Sequence, residues 1–155
     1  MSSRPASIVS LAEAWRTLRM TVYLDLTRQF NAGRLRAVLS SGQAVVLHRL
    51  AVMSKDGDWI LREEKEALDH VLAVLASRKA RYRFGAPLDT RWMAGGWSAH
   101  FEFQGDGLRI RTDFVTRPPR VSSADLVAMW SGMEGRDPPF VGVRLLADLK
   151  KTNRE

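Results

Sequence analysis

The sequence predicts an α+β domain: a small mixed β-sheet flanked by helices, with an amphipathic helix ahead of it. Residues 10–30 and 62–80 place apolar side chains at helical spacing. Residues 97–115 alternate apolar and polar side chains about a glycine-rich turn. Short apolar runs bounded by turn formers lie between these patterns. At 155 residues the chain is expected to form one domain over 10–155, with its core in 36–155 and a flexible tail over 1–9.

The elements follow in order. Ser10 with Glu13 is a capping-box pattern, and Leu11, Trp15, Leu18, Val22 and Leu26 then form one stripe of a helix over 10–30. That stripe suits packing on the domain or a homodimer interface. Ala37, Val38 and Leu39 read as a short strand, Ser40-Ser41-Gly42 as a turn, 43–49 as a short helix and 55–61 as a strand. The segment "REEKEALDHVLAVLASRKA" is the clearest helix: Leu68, Val71, Leu72 and Leu75 form its apolar face, and acidic residues open it as the helix dipole favours. Residues 81–84, 97–103 and 108–115 read as strands, the last two joined by Gln104-Gly105-Asp106-Gly107. The prolines of "TRPPR" stop the ladder, and helices are expected over 123–130 and from 142 onward.

Composition narrows the function classes. Hydrophobic residues make up 45% and charged residues 26%, as in ordinary soluble domains. The absence of cysteine excludes disulfides, thiolate metal sites and thiol chemistry. No apolar run approaches the roughly 18 residues of a membrane span, and the N-terminus lacks a signal-peptide pattern. A soluble, cytoplasmic protein without membrane association is expected. The net charge of +7 favours polyanionic partners, although the arginines are spread along the chain and a plain solvated surface is the alternative.

The chemistry centres on "SKDGDWIL", residues 54–61. Asp-Gly is a common turn signal, yet Trp59, Ile60 and Leu61 follow at once and mark a buried strand. In a strand Asp56 and Asp58 project to the same side, about 7 Å apart along the backbone. Two carboxylates held so close suit a hard divalent cation such as Mg²⁺, which is often bound by one or two carboxylates plus substrate phosphates. Asp113 supplies a third acid. In the hairpin strand Leu108, Ile110, Thr112 and Phe114 take the core face, while Arg109, Arg111 and Asp113 take the polar one. Upstream, Ser41 and Gly42 form a small-residue turn before a helix, where backbone amides can approach a phosphate.

A strand, a small-residue turn, a helix, Asp-x-Asp on a strand and a later strand acid: this order resembles the minimal nucleotidyltransferase domain that shares its core with DNA polymerase β. "SGQAVVLHRLAVMSKDGDWIL" is similar to the branch that includes abortive-infection toxins, and "ADLKKTNRE" resembles its late lysine-bearing helix. The resemblance covers 36–155. Ser41 stands where the family usually has its first glycine, and Gly57 where it has a bulky apolar residue, which is expected to weaken the strand.

The resemblance implies that Asp56 and Asp58 hold Mg²⁺ on a nucleoside triphosphate, and that Asp113 binds the metal that activates an acceptor hydroxyl. Ser41, Gly42, Lys55, Lys150 and Lys151 are the implied nucleotide-binding residues. The resemblance leaves the acceptor open, with RNA and protein as the candidates, and points to a toxin-like role, as in toxin–antitoxin pairs. Two alternatives stay open: a catalytically degenerate nucleotide- or partner-binding module of the same fold, and a small basic nucleic-acid-binding protein.

Other residues carry weaker signals. His48, His70 and His100 lack a second histidine at ligand spacing and are expected to be structural. Trp92 and Trp97 are expected in the core, and Glu102 is a possible extra acid. Residues 81–91, rich in arginine and turn formers, read either as a substrate-binding loop or as a connector.

Overall fold

Trp59 sets the middle of the fold. A computed structural model describes residues 8–40 and 56–141 of the chain. Five strands form one mixed sheet: β1 (Ala37–Ser40), β2 (Asp56–Leu61), β3 (Arg81–Gly85), β4 (Ala99–Gly105) and β5 (Leu108–Val115), in the order β1-β2-β5-β4-β3. β2 runs antiparallel to β1 and parallel to β5, while β4 is antiparallel to both β5 and β3. Four helices accompany the sheet among the described residues: α1 (Ile8–Phe30), α2 (Lys65–Ser77), α3 (Thr90–Met93) and α4 (Ser123–Met133).

One face of the sheet carries the main core. Trp59 is fully buried there, stacked on Phe114 at 5.5 Å between ring centroids and met edge-on by Phe30 and Tyr23 of α1. Its indole Nε1 donates to Thr27 Oγ1 at 3.0 Å, so burial leaves no unsatisfied donor. The predicted face of α2 packs into the same core through Leu68, Val71 and Leu75, with Leu72 partly buried beside it. At the end of α1 the Asn31 side chain accepts from the backbone N–H of Arg36 and Ala37, which fixes the entry into β1.

The opposite face is divided. Val38, Ile60 and Val115 lie under α4, whose Met129 and Met133 complete a second, smaller core. The other half of this face carries polar side chains and holds the candidate site. Residues 139–141 return beside β1, where Leu39 N–H donates to Pro139 O and Val141 N–H to Leu39 O. The chain thereby covers an edge that would otherwise be open.

Several sequence expectations shift. α1 starts at Ile8, so Ser10 lies within its first turn rather than capping it. Only the later part of the α1 stripe is buried: Val22 and Leu26 are enclosed, whereas Leu11 and Trp15 are more than half exposed. β4 starts at Ala99, two residues later than expected, and leaves Trp97 outside it, 57% exposed. Trp92 is exposed as well, contrary to a core role. The hairpin expectation holds in detail: Asp106 and Gly107 both have positive φ (51° and 78°), the geometry of a two-residue type I′ turn. The expected helices over 43–49 and from 142 onward lie outside the described residues, as do Ser41, Gly42, His48, Lys55, Lys150 and Lys151.

Candidate functional site

The parallel pairing of β2 with β5 brings the predicted acids together. Asp58 lies directly opposite Asp113, and Asp56 opposite Arg111. Neighbours paired across strands share a face, so Asp56, Asp58 and Asp113 all project from the polar half of the sheet. The row continues in both directions: Ser40 is opposite Asp58, His100 opposite Asp113, and Phe84 opposite His100. Five strands thus contribute Ser40, Asp58, Asp113, His100 and Phe84 to a single line across the sheet.

The electrostatics follow from that crowding. Burial first, then the neighbouring Asp113 and a hydrogen bond to it, push the Asp58 carboxyl up to about 7. Asp56 is raised by burial and by Asp113, with Arg83 and Arg111 opposing the shift. A proton on Asp58 therefore relieves the repulsion: Asp58 donates, and Asp113 accepts. On the core side of β2, burial raises the Tyr23 hydroxyl, Arg19 opposes that rise, and the three aspartates add to it.

Asp113 is gripped from the other side by His100, whose Nδ1 lies 2.6 Å from Asp113 Oδ1. His100 Nε2 lies 2.8 Å from Ser98 Oγ. With Nδ1–H donating to the carboxylate, Nε2 accepts the Ser98 hydroxyl proton, and the ring is fixed in one tautomer. His100 also stacks on Phe84 at 4.3 Å. His100, expected to be structural, thus touches a predicted site acid directly. His70 behaves as expected, its Nε2 bonded to Gln29 O and tying α2 to α1. Glu102 stands apart from the acids, paired with Arg81 and Arg109.

Two arginines complete the surroundings. Arg83 Nη1 lies 4.0 Å from Asp113 Oδ1, and this nitrogen and Arg111 Nε are buried without a hydrogen-bond partner among the described residues. Buried guanidinium donors next to carboxylates are costly unless an anion completes them. Sequence reasoning missed Arg83, Arg111, Ser98 and His100. The alternation of β5 placed Arg111 with Asp113 in principle, but the pairing of β4 with β5 was needed for His100 and Ser98, and that of β3 with β4 for Arg83.

Gly57 also departs from expectation. A Cβ at this position would meet the Trp59 indole at 2.6 Å and the Tyr23 ring at 2.8 Å. The slot is packed by Trp59 rather than empty, and β2 is paired with β5 from Asp56 to Ile60 and with β1 from Asp58 to Leu61. Glycine here admits a large indole.

No family model matches the chain, and no curated protein or solved structure matches it closely enough to place it. The site must be read from its own chemistry. Among the described residues no helix is long and apolar enough to cross a membrane. No group of three or more His, Asp or Glu side chains among them is arranged as a ready metal-binding set. Asp113 lies close enough to Asp56 and Asp58 to raise the carboxyls of both. Their donor set of hard carboxylate oxygens, strained by mutual repulsion, still suits Mg²⁺ chemically.

Proposed function

We propose that this chain is a Mg²⁺-dependent nucleotidyltransferase with a nucleotidyltransferase-like fold. The carrying observation is the Asp58–Asp113 pairing across parallel strands, with Asp56 two residues before Asp58. Carboxylates driven to share a proton are poised to exchange it for a cation. The order of antiparallel β1 and β2 followed by parallel β5 supports the same reading.

In this reading Asp56, Asp58 and Asp113 would hold Mg²⁺, which would supply charge neutralisation for a triphosphate and its pyrophosphate leaving group. The acceptor hydroxyl oxygen attacks the α-phosphorus, a new O–P bond forms, the α–β bridging bond breaks, and the hydroxyl proton passes to solvent. Arg83 and Arg111 are placed to offer donors to phosphate oxygens. His100 orients Asp113 and is a positioning residue. Ser41, Gly42, Lys55, Lys150 and Lys151 are proposed to contact the nucleotide, and a toxin-like role remains part of the proposal.

Incubation with nucleoside triphosphates labelled at the α-phosphate, Mg²⁺ and total cell RNA or protein tests this. Label should move to a macromolecule with release of pyrophosphate, and Asp58→Asn should abolish the transfer. Nucleotide bound without transfer to any acceptor would favour the degenerate module instead.

A further inference from the structure

We propose that the β3 edge beside the aspartates is the docking surface for a single-stranded polynucleotide, the acceptor of the transfer. As an acceptor surface it rests on the transferase reading; as a binding surface it stands without it.

The observations are aromatic exposure, basic charge and continuity with the site. Phe84 is 53% exposed and lies on the same face as the aspartates, stacked on the histidine that grips Asp113. The Arg83 guanidinium lies 4.9 Å from the centre of the Phe84 ring. The backbone hydrogen bond from Ala86 N to Ser98 O brings the end of β3 against the segment entering β4. There Trp97 is exposed and meets Trp92 edge-on at 6.1 Å. Arg91, next to Trp92, is exposed too. Large aromatic side chains cost free energy in water, so several of them left open on one edge point to a ligand with apolar faces. The exposed Arg91 among them favours an anionic ligand. Unpaired bases on a phosphate backbone meet both requirements.

The geometry suits an acceptor. From Asp113 to Phe84 is two strand spacings, roughly 10 Å. A base against the Phe84 edge therefore lies one residue's width from His100 and roughly 10 Å from Asp113. A peptide strand added to the β3 edge fits less well, because the register breaks between Tyr82 and Phe84 and interrupts the template for backbone pairing. The overall charge of +7 favours the polynucleotide as well.

Fluorescence anisotropy with short labelled single-stranded oligonucleotides of mixed sequence, one RNA and one DNA, tests the inference on the full chain without Mg²⁺ or nucleotide. Binding is expected, weakening as salt rises, and the stronger arm identifies the natural class. The double variant Phe84→Ala with Trp97→Ala should bind about tenfold more weakly or worse, with an unchanged melting temperature. Asp58→Asn should retain oligonucleotide binding, and a duplex of the same sequence should bind more weakly than the single strand. Absence of binding, equal binding of duplex, or indifference to the aromatic substitutions would overturn the proposal. If oligonucleotides fail to bind while Mg²⁺ and nucleotide bind normally, the docking surface is wrong and the transferase reading stands.

Discussion

Asp58 on β2 faces Asp113 on β5 at the same register of a parallel pair, and burial together with the neighbouring Asp113 raises the Asp58 carboxyl. Two acids widely separated in sequence are thus held as one unit by the sheet, and the unit's protonation governs what it can bind.

Stability should depend on pH with a definite sign. The Asp58 carboxyl sits at about 7 in the folded chain, whereas an unfolded aspartate titrates near about 3.9. Between these values the folded chain keeps a proton that the unfolded chain has lost. The contribution is therefore complete below about pH 4 and disappears as pH rises through about 7. The loss is expected to be roughly 2 kcal/mol after allowance for solvent screening. Melting in the presence of a chelator at pH 5 and pH 8 measures it, and Asp58→Asn should flatten the difference.

Gly57→Ala should destabilise the chain by about 1–3 kcal/mol, because the added methyl drives into Trp59 and Tyr23. Chemical denaturation reads this directly. A neutral result would mean that the indole has room to move.

His100→Ala should leave the fold in place while freeing Asp113. Partners that orient a metal-binding carboxylate typically matter by about 10–100-fold in metal affinity. A Mg²⁺ titration of His100→Ala should therefore show a loss in that range, with melting at pH 5 close to wild type. Loss of fold instead would assign His100 a structural role.

The sequence made the strands legible wherever two periods were unambiguous. Alternation in Leu108–Val115 placed Asp113 opposite the core face, and Asp106-Gly107 announced its turn, because both signals are local. The acids of the site were legible for the same reason: Asp56 and Asp58 share a face by strand period alone. What stayed hidden depended on distant pairing. His100 looks like a solitary histidine until β4 is set against β5, and the register shift between Tyr82 and Phe84 that sets Phe84 opposite His100 leaves no local mark in the sequence. Gly57 was misread because its slot is filled from Trp59 and from Tyr23 on another element. Trp92 and Trp97 are exposed rather than in the core because hydrophobicity alone does not decide burial.

The most direct test of the central claim is calorimetry with Mg²⁺ and a non-hydrolysable nucleoside triphosphate at pH 8, comparing wild type with Asp58→Asn and Asp113→Asn. The three-aspartate site predicts Mg²⁺-dependent nucleotide binding in wild type and its loss in both variants. Nucleotide binding of equal strength in all three proteins, or binding indifferent to Mg²⁺, would contradict it.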